Sequence, residues 1–157
     1  MNILTRFKLF LWKFSHFKVR MIGYLKPRLL QLTDNEIIIC LPLNRRSRNH
    51  LNSMYFGALC VGADLAGGLH GFYHAAQKQL KISLVFKSFQ AQFLHRPESD
   101  VYFVCREGTK VATMLEEAKK TGTRVTQPIQ IKAYTDYPDL KESVAEFILE
   151  LSVKIRS

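Results

Sequence analysis

The chain lacks the material for a disulfide framework. Its three cysteines, Cys40, Cys60 and Cys105, are odd in number, widely spaced and each set in an apolar run, which describes buried thiols in a reducing compartment. No C-x-x-C pair, zinc signature, Gly-rich phosphate loop or Ser-His-Asp motif occurs, so no metal site or phosphate-loop chemistry is expected. No apolar run is long enough to span a bilayer. The apolar N-terminus is interrupted by Arg6, Lys8, Lys13, Lys18 and Arg20 and has no small-residue cleavage site after it, so neither a spanning helix nor a signal peptide is expected. Acidic residues are missing where basic ones crowd: Met1 to Arg28 holds seven of the 23 Lys/Arg and none of the 13 Asp/Glu, so 16 basic residues face 13 acidic ones in the rest. The net charge of +10 belongs mainly to this arm. No nucleic-acid motif accompanies the charge, and no nucleic-acid partner is expected.

What is present is a folded composition. At 157 residues, with 47% apolar and 23% charged residues, the chain suits one well-buried domain. Residues 1–26 read as an accessory arm and residues 27–157 as the domain. In the arm, Ile3, Phe7, Phe10, Phe14, Phe17 and Met21 recur at spacings of four and three, one face of an amphipathic helix with a break near Ser15. Arg6, Lys13 and Arg20 fall on the other face. Such an arm packs on the domain or a partner subunit, or lies on an anionic membrane surface; the sequence leaves both open.

Two strand-like runs, Arg28 to Leu32 and Glu36 to Leu43, flank the turn residues Thr33-Asp34-Asn35. A basic loop then feeds one long helix ending near Gln77. That helix carries five of the eight glycines, Gly57, Gly62, Gly67, Gly68 and Gly71. An interior glycine costs about 1 kcal/mol relative to alanine, so something must come close to this backbone. Asn49, Asn52 and Ser53 read as its capping residues. Strands follow over Lys81 to Leu94, with a bulge near Ser88, and over Asp100 to Cys105; a short surface helix over Glu107 to Thr121 stops at Gly122. In the first of these strands, Val85, Phe89, Ala91 and Phe93 alternate with Ile82, Leu84 and Phe86 as the opposite side. Arg124 to Ala133 alternates again, with Pro128 limiting its pairing. The clearest strand is the last, where Ala145, Phe147, Leu149, Leu151, Val153 and Ile155 face one way. Antiparallel strands around one helix make an α+β fold.

Asp64 is the only acidic residue between Glu36 and Glu98, and Gly62, Ala63, Leu65 and Ala66 surround it in sequence. A carboxylate in such a setting is solvent-exposed, paired with an arginine, or a catalytic base or nucleophile. His70 and His74, four apart on one helical face, suit ordinary hydrogen bonds, with no third metal ligand in view.

The run Asn49-His50 with Met54-Tyr55-Phe56-Gly57-Ala58-Leu59 and Asp64 seven residues after Gly57 resembles the helix-start signature of hotdog-fold acyl-CoA thioesterases. It is similar above all to an uncharacterised branch of that superfamily. The phenylacetate-pathway branch has a His-Gly-Gly turn at this place, and Tyr55 and Phe56 stand where its His and first Gly would be. The resemblance covers roughly Pro27 to Ile155. It implies a hotdog fold and an acyl-CoA thioesterase-like activity in a homodimer or dimer of dimers, with CoA entering only as part of the substrate. It further implies that the Gly57 N–H polarises the thioester carbonyl, Asp64 acts as base or nucleophile, and Asn49 orients thioester or water. His50 belongs to the same pattern, in a structural or a site role. Met54, Tyr55, Phe56 and Leu59 would line the acyl slot, and Arg45, Arg46 and Arg48 would meet CoA phosphates. A cytoplasmic protein, peripheral at the inner membrane face through its arm, is the expected setting. The alternative is a non-catalytic acyl- or lipid-binding hotdog protein held at a membrane by that arm.

Overall fold

A computed structural model describes residues 2–156 of the chain. Met1 of the expected arm and Ser157 of the expected domain lie outside the described residues. The elements run α1 (Ile3–Phe17), α2 (Arg20–Leu25), β1 (Arg28–Leu32), β2 (Ile37–Leu41), α3 (Phe56–Gln77), β3 (Lys81–Phe93), β4 (Val101–Cys105), α4 (Gly108–Thr121), β5 (Val125–Tyr134) and β6 (Ser143–Arg156). Six strands form one antiparallel sheet in the order β1-β2-β4-β5-β6-β3, curled around α3. This is the α+β hotdog arrangement that the sequence led us to expect.

The small residues of α3 let the sheet approach its backbone. A Cβ on Gly62 would overlap the fully buried Phe103 ring of β4, and one on Gly71 would overlap Leu84 of β3. From the sheet side, Ala145, Phe147, Leu149, Leu151 and Val153 of β6 are all buried against the helix layer. A second, smaller cluster of Ile38, Val104 and Tyr134 seals the opposite face of the sheet, so every residue of β2 is buried. Pro128 is accommodated because β4 pairs with β5 only from Lys132 to Tyr134, leaving the Pro128 stretch paired on one side, with β6. Gly122 ends α4 in the left-handed conformation, φ 69°, as a glycine after a helix commonly does.

Several expectations are corrected. The arm breaks at Lys18–Val19 rather than near Ser15, into two helices. Cys60 is half-buried, while Cys40 and Cys105 are fully enclosed. α4 buries Val111, Met114, Leu115 and Ala118, so only its other face is surface. In β3 the pairing shifts between Phe86 and Phe89: Phe86 faces Leu151 and Phe89 faces Leu149, two residues of β6 against three of β3. The extra residue flips the alternation. Phe89, Ala91 and Phe93 therefore join Ile82, Leu84 and Phe86 on the helix side, not the side opposite to them.

Candidate active site

α3 begins at Phe56 with Tyr55 as N-cap, and no side chain caps it. Asn49, Asn52 and Ser53 are not its caps, contrary to the sequence reading. Instead the Asn49 side-chain oxygen accepts from Leu51 N–H (2.9 Å), Ser53 N–H (3.2 Å) and Ser53 Oγ (3.2 Å), folding the preceding loop on itself. Asn52 takes the left-handed conformation, φ 60°, which asparagine tolerates in a turn. A short bridge between Arg48 and Met54, and Tyr55 N–H donating to the Ser47 carbonyl at 2.7 Å, hold the loop against the helix start. The first bonded amides of the helix are those of Ala58 and Leu59, both to the Tyr55 carbonyl, and the Gly57 N–H has no acceptor among the described residues.

Asp64 follows seven residues later, about 10 Å along the axis and on nearly the same side of the helix. One carbonyl held at Gly57 therefore lies beyond reach of the Asp64 carboxylate in the same chain. The Asp64 side chain is half-buried and has no ion pair or hydrogen bond among the described residues. Burial alone pushes its carboxyl above the ordinary carboxylate range. It borders a mainly apolar cavity of about 220 Å³ between α1, α3 and β3. Phe10 and Phe14 of the arm, Leu65 and Phe72 of α3, and Leu84 and Phe86 of β3 supply walls of this cavity. The sequence reading missed these residues as part of a site. The three-four spacing of the arm signalled a packing face, but nothing local says that it packs over Asp64.

The expected slot residues separate. Met54 (2% exposed) and Leu59 (3%) belong to the core, whereas Tyr55 and Phe56 stand out in solvent, their rings 4.8 Å apart. These four do not line one slot within a single chain, because two of them are spent on the core. Phe56 meets Phe93 edge-on at 6.2 Å, and Phe93 and Phe89 both touch Phe147. The helix start and the far half of β3 thus share an open aromatic surface. His50 is exposed. Arg46 is engaged with the arm, donating to the Tyr24 carbonyl at 3.2 Å and lying over the Tyr24 ring at 5.3 Å. Arg45 and Arg48 are exposed, with no ion pair among the described residues.

His70 and His74 serve the other end of the helix. His70 Nε2–H donates to the Thr33 carbonyl (3.3 Å) and His74 Nε2–H to the Asp34 carbonyl (3.1 Å), while Asp34 accepts from the Tyr73 hydroxyl at 2.7 Å. These bonds fasten the β1–β2 turn to α3. Burial, helped by the neighbouring His74, takes the His70 pKa down to about 4, so the ring is neutral.

No protein-family model matches the sequence, and no curated protein matches it. Solved structures do share the fold. A protein of unknown function from Chlorobaculum tepidum aligns with a TM-score of 0.84 at 11% identity, over 98% of this chain and 97% of that one. A candidate thioesterase from Shewanella oneidensis gives 0.77 at 15% identity, covering 98% of both chains. A thioesterase from Haemophilus influenzae gives 0.67 at 16% identity, over 99% of this chain and 92% of that one. At these identities the likeness is one of fold.

Proposed function

We propose that the chain is an acyl thioester hydrolase acting on acyl-CoA, with Asp64 as its essential carboxylate. The observation that carries this reading is the unpaired, desolvated Asp64 on the wall of an apolar cavity. An isolated charge in such a place is costly to the fold and useful to chemistry. A raised carboxyl pKa suits a general base working near neutral pH. Water attacks the thioester carbon, its proton passes to Asp64, the carbon–sulfur bond breaks, and the proton leaves with the thiolate. Direct attack by Asp64 is the other route, and oxygen-18 from solvent water found in the Asp64 carboxyl after turnover distinguishes it. The unpaired Gly57 N–H at the helix start serves the developing oxyanion, Asn49 holds the loop that leads to it, and exposed Arg45 and Arg48 are placed for CoA phosphates.

The separation of Gly57 from Asp64 along one helix argues that a complete site takes the two groups from different subunits. β3 supports the same conclusion: it is a thirteen-residue edge strand with exposed Val85, Phe89 and Phe93, an arrangement that invites strand pairing. A homodimer, or a dimer of dimers, is the assembly this fits. Three free thiols fit a cytoplasmic setting.

The test is a thiol-release assay against acyl-CoAs from short to long and aromatic, with Asp64→Asn in parallel. Turnover lost in the variant supports the assignment; full activity in the variant overturns it. No turnover by the folded protein, together with retention of an acyl ligand, would favour the binding-protein reading, to which the arm closing over the Asp64 cavity also lends itself.

A further inference from the structure

The arm presents a second face to solvent. α1 and α2 turn Phe7, Leu11, Ile22 and Leu25 into the core, yet Trp12 (51% exposed), Phe17 (73%), Met21 (67%) and Tyr24 (56%) remain outside. They are not scattered: the Trp12 ring lies 4.7 Å from His16 and 6.3 Å from Phe17. Gly23 lets α2 press against the Ser15 backbone of α1, since a Cβ there would stand 2.7 Å from the Ser15 carbonyl oxygen. Trp12 and Phe17 thus form one exposed aromatic cluster, with the exposed Met21 following on the α2 that packs against α1, and exposed apolar surface of this kind marks an interaction site.

The arm that carries these side chains is also rich in free cations. Arg6, Lys8, Lys13, Lys18, Arg20 and Lys26 are exposed, and none has an ion pair among the described residues. No acidic residue occurs before Asp34 to neutralise them. Beside the cluster, between the arm and β1, opens a groove of about 880 Å³ with Lys8, Trp12, His16 and Lys26 on its walls. A second copy of the chain docked on this face would bring like charges together. An anionic surface over an apolar interior meets both the cations and the aromatics. No described helix is long and apolar enough to cross a membrane, so such contact is peripheral. We propose that the outer face of α1–α2 docks on an anionic lipid bilayer, with Trp12, Phe17 and Met21 entering the headgroup–acyl boundary and the free cations meeting lipid headgroups.

Trp12 is the single tryptophan, so its emission reports on the contact directly. The full chain is mixed with vesicles of phosphatidylcholine alone or of phosphatidylcholine with phosphatidylglycerol, then sedimented and read by fluorescence. Sedimentation with the mixed vesicles, a blue shift of Trp12 and release by salt are expected. Each Lys or Arg near an anionic leaflet strengthens partitioning about fivefold, so the Lys13→Gln, Arg20→Gln double variant should bind about 25-fold more weakly. Phe17→Ser should weaken binding while leaving the circular dichroism unchanged. The proposal is overturned by failure to sediment with the mixed vesicles, by equal and salt-insensitive binding to both, or by RNA binding or self-association through this face in place of vesicle binding.

Discussion

Asp64→Asn should stabilise the fold while removing its activity. At neutral pH the residue is a carboxylate in apolar surroundings; an unsatisfied neutral amide there still costs roughly 1–3 kcal/mol and an unsatisfied charge costs more, so only the difference is recovered. Asp64 is half-buried and keeps some water, which holds that difference to about 1 kcal/mol. Asparagine keeps the shape and drops the charge. For a chain of 157 residues a gain of about 1 kcal/mol moves the thermal midpoint up by about 2–4 °C. The pH dependence gives the sharper test. The folded carboxyl titrates above its ordinary 3.8, so the folded state holds the proton more tightly than the unfolded chain. The parent therefore loses stability as pH rises from near 3.8 through the raised value, and the advantage of the variant opens across that window and stays level above it. Urea unfolding of both proteins from pH 4 to 8 measures this gap. In the thiol-release assay the same variant should lose at least about 10²-fold in kcat. A variant less stable than the parent at pH 7, or a gap equal at pH 4 and pH 8, would refute the reasoning.

His70 gives the opposite slope: its pKa of about 4 against 6.5 unfolded means that stability is full above pH 6.5 and falls as pH drops toward 4, by about 3 kcal/mol at the low end. His70→Gln should flatten that part of a pH–stability profile obtained by urea unfolding. Deleting Ser88 removes the one extra residue of β3, so Phe86 and Phe89 stand two apart and, with Ala91 and Phe93, keep the helix side in a regular ladder with β6; soluble, cooperatively folded protein with a urea midpoint close to the parent's is expected. Phe7→Ala strips a buried ring that packs edge-on against Tyr73 at 5.5 Å, and should cost about 3 kcal/mol in urea unfolding while detaching the arm, seen as faster proteolysis near Lys18.

Much of this protein was legible in its residues because periodicity and glycine placement act locally. The small-residue run of α3, the alternation of β6, the stop at Gly122 and the arm's three-four stripe as far as Phe14 each satisfied backbone and solvent requirements within a few residues, and with them came the element order and the expectation of a sheet wrapped on one helix. Phe17 and Met21 of that stripe, on either side of the helix break, lie in solvent. The motif also singled out Asp64, whose isolation among apolar neighbours holds in space as well as in sequence. What the sequence could not decide was non-local. One extra residue in β3 reversed the side on which Phe89 and Phe93 lie, because facing is fixed by pairing with β6 and not by β3 alone. Met54 and Leu59 were claimed by the core while Tyr55 and Phe56, their neighbours in the same motif, were left in solvent. Asn49 spent its oxygen on its own loop rather than on the helix. The arm, read as either packed or membrane-facing, uses one side to wall the Asp64 cavity and leaves the other in water, since a helix stripe states only that something must cover it, and which surface does so is decided by the packing of segments far apart in the chain.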